Sequence, residues 1–310
     1  MSRFLVIYNP ISNKGGAEKI RTQVVQMLSE QDFDFDLILT EYPGHALELS
    51  RDAAMNGYDA VVAAGGDGTV NEVINGLMYA RQSGGHDIAM GVLPIGRGND
   101  FNYSMGAPDD WQSCCQVLAA GHTHRIDVGL VRGGLYPEGR YFGNGIGIGF
   151  DAVVGFFAAE QRITGFAGYL VAAIRTIFAY SPAPIMAIEM ENETLTLPAL
   201  MVNVMNGRRL GGGFMIAPQG DPMDGLMDLC IAHEVKVPRI FGLIGKFLKG
   251  EQYGDEAIQA RQSARVTIRA EKGTLPVHAD GETITTEGDR IEIELLPRQL
   301  ELYLPENEAV

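Results

Sequence analysis

The stretch "AAGGDGTVNEVINGL" (63–77) sets Gly65, Gly66, Asp67, Gly68 and Thr69 between an apolar run and a helical pattern. Glycines at the end of a strand let successive backbone N–H groups converge on one anion, because no side chain blocks close approach. The helix that follows carries Val70, Val73, Ile74, Leu77 and Met78 at helical spacing, with Asn71 and Asn75 on its polar side, and adds its N-terminal dipole. Both effects favour phosphate. Asp67 repels phosphate unless a cation lies between them, and Mg²⁺ is the usual cation where phosphates meet one or two carboxylates. The loop therefore reads as the holder of a magnesium nucleotide, against the plainer alternative of a helix entry whose glycines serve only the turn. Neither common nucleotide fingerprint is present: there is no GxxxxGK, and "GNGIGIG" (143–149) has Ile148 where GxGxxG needs its third glycine.

Two further acidic stretches could do chemistry. "PQGDPMDGLMD" (218–228) is turn-forming and suits a hard cation bound through carboxylate and carbonyl oxygens, although Asp and Gly also dominate turns for other reasons. "VHADGETI" (277–284) places Asp280 and Glu282 two residues apart, on one face if the segment is extended. A carboxylate there could serve as a base for a hydroxyl attacking phosphorus, since proton removal is late in a loose transition state. The bland reading of the same stretch is a hairpin turn with solvated acids. His122 and His124 share a strand face without an acid or Cys at ligand spacing, and Trp111 reads as a packed helix start. Phe156, Phe157, Phe166, Tyr169, Leu170 and Ile174 form a stripe that is core or acyl pocket. "FGLIGKFLKG" (241–250), with Lys246 and Lys249 among apolar residues, could rest on a membrane surface.

These residues need a scaffold. Strand-like runs at 4–9, 34–40, 59–65 and 87–94 alternate with helical patterns, including Ala17, Ile20, Val24, Met27 and Leu28. Repeated βα units imply a parallel sheet covered by helices on both faces. This first domain is expected over residues 1–125. Beyond "HTHRID", short strand candidates separated by Gly, Pro and acidic turns suggest a sandwich or barrel over 126–297, with helical insertions at about 152–180 and at 237–250. "RQLELYLP" (298–305) is one more strand, able to return to the first domain. A ligand is expected in a cleft between tightly joined domains.

Composition limits the function classes. The chain has 310 residues, 46% of them hydrophobic and 20% charged, as in soluble globular proteins. A formal net charge of −15 argues against general nucleic-acid binding, which needs a concentrated basic surface. Three cysteines, two of them adjacent at Cys114 and Cys115, build no disulfide framework and point to a reducing, cytoplasmic setting. The N-terminal apolar run is too short for a secretory signal, and Arg175 breaks the longest apolar stretch below membrane-span length.

Taken together in this order, "YNPISNKGG", "GGDGTVNEVINGL", "GVLPIGRGNDF", "NGIGIGFDA", "GGGFMIAPQGDPMDGLMDL" and "HADGE" resemble the diacylglycerol kinase catalytic-domain family of lipid kinases, over residues 8–282. NAD kinases and phosphofructokinases share "GGDGT"; the later "DGLMDL" and "DGE" favour the lipid kinases. The resemblance implies a Rossmann-like parallel α/β domain of the NAD kinase and diacylglycerol kinase type, followed by a C-terminal β-sandwich. By position it implies that Asn9, Pro10, Ile11, Ser12 and Asn13 form part of a triphosphate-binding turn. It also implies that Thr40 contacts nucleotide, that Gly65, Gly66, Asp67, Gly68, Thr69, Asn71 and Glu72 cover the phosphates, and that Asn99 and Asp100 match the family pattern. Arg97 stands where the family usually has Thr or Ser, and could bind phosphate or point away. A structural magnesium is implied at the Asp224 carboxylate with the carbonyls of Asp221 and Leu226. Glu282 is implied as the base, with Asp280 orienting it or the metal.

The expected activity is ATP- and Mg²⁺-dependent phosphorylation of a lipid hydroxyl, diacylglycerol to phosphatidic acid. Two alternatives stand beside it: a soluble-substrate kinase of the NAD kinase kind, and a catalytically silent lipid or nucleotide sensor. The expected partners are a lipid and, during turnover, the membrane surface; no nucleic acid is expected, and a homodimer is left open.

Overall fold

The computed structural model describes residues 2–31, 34–160, 166–179 and 183–306, without the side chains of residues 159, 160, 166, 167, 169, 178 and 179. The expected stripe members Phe166 and Tyr169 thus lie outside the described side chains. The chain divides into two compact units, Met1–Ile126 with Arg298–Val310, and Asp127–Pro297.

In the first unit the strands Arg3–Tyr8, Asp34–Leu39, Ala60–Gly65 and Ala89–Pro94 alternate with the helices Ser12–Ser29, His45–Ala53 and Asp67–Gln82. All four strands pair in parallel. Arg3–Tyr8 lies between Asp34–Leu39 and Ala60–Gly65, and Ala89–Pro94 follows on the far side of the latter. The runs AVVAAG and AMGVLP are buried along their whole length, as strands covered on both faces must be. Asp34–Leu39 instead alternates with exposed positions, as suits the sheet edge. Arg290–Tyr303 ends in this unit, where Leu302 pairs in parallel with Met90. Trp111 opens the helix Trp111–Ala120, whose N-terminus is capped by the Asp110 carboxylate accepting from the Ser113 N–H. Strand order reverses at Arg3–Tyr8, so the carboxyl ends of that strand and of Ala60–Gly65 border the place where open parallel sheets bind ligands.

The second unit is antiparallel, and one strand organises it. The first half of Thr194–Met205 pairs with Ile185–Met190, and its second half with Gly145–Gly149 and Met227–His233. Residues on the two faces of the latter sheet part ways by the period of two. Ile146, Ile148, Val202, Val204, Leu229, Ile231 and Val277 join a core shared with Met186, Ile188, Val266, Ile268, Ile291 and Ile293, which makes a sandwich. Met201, Met205, Cys230 and Ala232 face the other way and pack on Phe150, Val154, Ala172, Ala173, Ile177, Ile240, Leu243 and Phe247. Those apolar partners come from the helices Phe150–Glu160, Phe166–Ala179 and Val237–Lys249. The last has a proline in its first turn, Ile240, Leu243 and Phe247 buried at helical spacing, and Gly250 at φ 71 closing it. Among the described residues no helix is long and apolar enough to cross a membrane.

Candidate active site

The glycine loop sits at the strand-order reversal. Asn9, directly after Arg3–Tyr8, donates its N–H to the Ala64 carbonyl (2.9 Å) and its Nδ2 to Thr69 Oγ1 (2.9 Å), which ties two of the expected nucleotide segments together. Its Oδ1 accepts from the Ile11 N–H at 3.2 Å, shaping the turn through Pro10 and Ile11. After Ser12 the chain runs through three left-handed residues, Asn13 (φ 54), Lys14 (φ 54) and Gly15 (φ 79), before regular helix begins. Left-handed backbone at two non-glycine residues costs on the order of 1 kcal/mol each, a strain that clusters at ligand sites. Thr40 ends the neighbouring strand, donating its N–H to the Tyr8 carbonyl at 2.9 Å.

A second loop, after Ala89–Pro94, closes on the first. A Cβ on Gly96 would collide with Gly66 Cα, so the two backbones touch because Gly96 is bare, while a Cβ on Gly66 would stand 3.3 Å from Gly96 Cα. The Asp67 carboxylate accepts from the Phe101 N–H at 3.0 Å. A Cβ on Gly98 would stand 2.9 Å from Asp67 Oδ2 and 3.9 Å from Asp100 Oδ2, so two carboxylates flank that glycine. Bare backbone beside two acids fits a phosphate chain with its magnesium, an ion that takes one or two carboxylates rather than a protein cage. No group of three metal-ligating side chains exists among the described residues. Asn99 adopts φ 50 and donates Nδ2 to the Pro94 carbonyl at 3.3 Å, while Arg97 is exposed.

One expectation for this loop is corrected. Asn71 and Asn75 are not on a polar face; both are fully buried, with Asn75 Nδ2 donating to the Asn71 carbonyl and Oδ1 at 2.9 and 3.1 Å. The Glu72 carboxylate accepts from the Gly44 and Ala46 N–H groups at 2.8 and 3.1 Å at the start of His45–Ala53.

In the second unit Asp280 and Glu282 are not on an extended segment. Strands Leu275–Ala279 and Glu282–Gly288 pair with Ala279 opposite Glu282, leaving Asp280 (φ 46) and Gly281 (φ 83) as a two-residue turn. The acids are gripped rather than solvated. Asp280 accepts from the N–H groups of Gly143 (2.7 Å), Asn144 (3.1 Å) and Gly145 (2.8 Å). Glu282 is held by Arg140 through Nε and Nη2 at 2.6 and 2.7 Å.

The acidic turn 221–226 is built from two local loops. Asp221 Oδ1 accepts from the Met223 N–H (2.9 Å) and Asp224 Oδ1 from the Leu226 N–H (2.8 Å). Burial and the nearby charges of Asp224 and Asp221 hold the Asp228 carboxyl above the usual Asp range. A hard cation at the exposed Asp224 carboxylate with carbonyl oxygens fits this donor set. Asp127, which sequence reasoning passed over, is fully buried and accepts from the Gly225 N–H at 2.8 Å, while its own N–H donates to the Pro222 carbonyl. Asn206 Nδ2 then bridges the carbonyls of Asp127 and Gly143 at 3.0 and 2.7 Å, joining the acidic turn to the segment that holds Asp280. A charged residue between Ile126 and Val128 in a strand pattern was the available signal for Asp127. Arg140 had none, because its partner is 142 residues away.

An apolar cavity lies under the helices of this unit, lined by Phe150, Leu200, Met201, Ile240, Leu243 and Phe247 among others, with Asp151 in its wall. Space that a water-sized sphere can occupy there amounts to about 50 Å³, and the cavity is partly open to solvent.

Comparison with known proteins agrees with this layout. Residues 3–131 match the diacylglycerol kinase catalytic domain, and residues 144–304 match the YegS C-terminal NAD kinase beta sandwich-like domain. The chain is 27% identical over 285 residues to a diacylglycerol kinase of Bacillus subtilis, covering 91% of this chain and 90% of that protein. It is 30% identical over 270 residues to the protein named "Probable lipid kinase YegS-like" of Chromohalobacter salexigens, covering 86% and 83%. In fold it is similar to a crystal structure of a diacylglycerol kinase from Bacillus anthracis (TM-score 0.75, 22% identity, 98% of this chain and 97% of that one). It is also similar in fold to an NAD kinase from Archaeoglobus fulgidus in complex with ATP (TM-score 0.52, 14% identity, 98% and 94%). The parallel α/β unit with its glycine loop and the sandwich with its Asp-Gly-Glu hairpin are thus two parts of one family pattern, and the chain belongs to the diacylglycerol kinase catalytic-domain family.

Proposed function

We propose that the protein is an ATP- and magnesium-dependent lipid kinase that transfers the γ-phosphate of ATP to a lipid hydroxyl, with diacylglycerol as acceptor and phosphatidic acid as product. The apolar cavity in the unit that bears the Asp280–Glu282 hairpin carries this reading. Its apolar lining suits acyl chains better than a soluble dinucleotide.

The nucleotide would be held by the Asn9–Asn13 turn, Thr40 and the Gly65–Thr69 loop, with Asp67 toward magnesium. Bound magnesium would supply neutralisation of phosphate charge, and positioning with electrostatics is most of phosphoryl-transfer catalysis. Glu282 would accept the acceptor's proton. A carboxylate has about four lone-pair sites, so one gripped by a guanidinium through two of them keeps others for a hydroxyl. Asp280 would fix the hairpin. Asp224, with the carbonyls of Asp221 and Leu226, would hold a structural magnesium.

The protein would work in the cytoplasm and meet the membrane during turnover. The helix Val237–Lys249 supports this, with Val237 and Phe241 exposed at 40% and 47% and with Lys246 and Lys249 in its last turn. The test is labelled ATP with magnesium, offered with diacylglycerol, phosphatidylglycerol, a sphingoid base, a polyprenol and NAD, followed by organic extraction. Label in phosphatidic acid is expected; label only in the aqueous dinucleotide would overturn the reading.

A further inference from the structure

The cavity in the second unit carries a single charge. Of the described residues that line it, only Asp151 is titratable. Its two hydrogen bonds, from Asn203 Nδ2 (2.7 Å) and His278 Nε2 (3.1 Å), both end on Oδ2. Oδ1 is left without a partner among the described residues. One oxygen is therefore anchored and the other is open to a ligand. The anchors are buried, Asn203 at 0% and His278 at 4% exposure. Asn203 Oδ1 and His278 Nδ1 are buried with no hydrogen-bond partner among the described residues, so the cluster holds polar capacity that these residues do not satisfy.

The strands explain how a polar cluster arises on an apolar face. Asn203 lies between Met201 and Met205 on the side of Thr194–Met205 that faces the helices, opposite Val202 and Val204. On the neighbouring strand, Ile146 and Ile148 point into the sandwich while Gly147 points toward the helices. A Cβ at Gly147 would collide with Asp151 Oδ2 and His278 Nε2, so the hydrogen-bonded pair fits because that position is bare. His278 stands two residues before Asp280 and pairs with Thr283, next to Glu282. Through His278, Asp151 is thus linked to the strand that leads into the hairpin bearing the proposed base.

Keeping a carboxylate against apolar walls is costly, and a group so kept in a cavity is a candidate for ligand contact. Resting on the lipid-acceptor reading above, we propose that Asp151 is the head-group acceptor of this cavity. Oδ1 takes a hydrogen bond from a free hydroxyl or ammonium of the lipid, and the same charge turns away heads that carry phosphate. The lipid class is then neutral or cationic, a diacylglycerol or a long-chain amino alcohol, and phosphatidylglycerol is excluded. Asn203 and His278 are positioning residues for Asp151. A purely structural Asp151, serving the first turn of Phe150–Glu160, would affect stability and leave the lipid ranking alone.

The experiment is displacement of a fluorescent diacylglycerol from the protein in neutral detergent micelles, without ATP, by unlabelled diacylglycerol, sphingosine and phosphatidylglycerol. Wild type should bind the first two at least about tenfold more tightly than phosphatidylglycerol, the scale of one hydrogen bond to a charged group. Asp151→Asn should erase that preference while keeping its melting temperature, and Leu243→Trp, which fills the apolar part, should weaken all three alike. Equal displacement by the three lipids in wild type overturns the inference, as does a ranking that Asp151→Asn leaves unchanged, or no displacement by any lipid. The wild-type ranking decides even if a variant fails to fold. Phosphate transfer measured in the same micelles judges the kinase reading separately: transfer without the ranking sinks this inference alone, and the ranking without transfer sinks the kinase reading alone.

Discussion

Arg140 grips Glu282 with two parallel hydrogen bonds, Nε to Oε2 at 2.6 Å and Nη2 to Oε1 at 2.7 Å. A bidentate clamp of this kind sets the plane of the carboxylate and leaves it little freedom. Glu282→Gln should bind ATP as wild type does while turnover falls by about 10² or more, the usual scale of a lost general base. Isothermal titration beside a phosphate-transfer assay checks it, and surviving turnover would remove Glu282 from the chemistry.

Asp280→Asn isolates the other acid of the hairpin. Asparagine tolerates the left-handed backbone at φ 46, so the turn should survive. Its amide, however, meets the three N–H groups of Gly143, Asn144 and Gly145 with one acceptor fewer. A cost of about 1–3 kcal/mol follows. The melting temperature should drop by several degrees and turnover with it; an unchanged unfolding curve would show that the three contacts contribute nothing.

Two glycines of the nucleotide loops should respond differently. Gly96→Ala drives a methyl into Gly66 and should lower both stability and ATP affinity. A Cβ on Gly68 meets nothing within 4 Å, so Gly68→Ala should melt like wild type. If Gly68→Ala also keeps full ATP affinity in equilibrium dialysis, phosphate does not approach that residue.

Arg97 is exposed on the second loop, where the family's usual residue is a small hydroxyl. Arg97→Ala should weaken ATP binding by roughly tenfold if the guanidinium meets phosphate. Unchanged affinity in the same dialysis assay would argue against that role.

Burial pushes the thiols of Cys114, Cys115 and Cys230 up to about 12 from an ordinary value of 9.0. Above pH 9 the unfolded chain therefore releases thiol protons that the folded chain keeps, and stability falls as pH rises from about 9 toward 12. Below pH 9 these groups contribute no slope. Urea midpoints at pH 8 and 10 should show the decline, and replacing the three cysteines by alanine should reduce it, the tyrosines Tyr8 and Tyr253, also raised by burial, supplying part of the remainder. A thiol reagent at neutral pH should label none of them until the protein unfolds.

The parallel sheet was legible because its signals are local. Buried strands between helices must be continuously apolar, and the runs expected at 4–9 and 59–65 are the observed Arg3–Tyr8 and Ala60–Gly65 within a residue or two. The glycine loop was legible for the same reason, since bare backbone after a strand has few other uses. Polar residues were harder to place, because packing and remote backbone groups decided their surroundings. Asn75 looks like surface on a helical wheel and is buried against Asn71, and Glu72 serves backbone groups 26 and 28 residues earlier. The hairpin at Asp280 stood as the plainer alternative in the sequence, because Asp-Gly between alternating strands is a strong turn signal. The clamp on Glu282 and the Asp151–His278 pair could not, being contacts across 142 and 127 residues that only the folded sandwich creates.

The chain leaves the first unit after Ile126 and re-enters it at Arg298. The returning strand brings Leu302 beside Met90 and Tyr303 against Phe4, and ties Glu301 to Thr123 and Leu304 to His122, near where the chain departed. The sheet domain is thus a host and the sandwich a guest inserted within it. A gene fragment ending at residue 126 would encode a host missing one of its own strands. Recombination could exchange the inserted unit only by cutting at both joints.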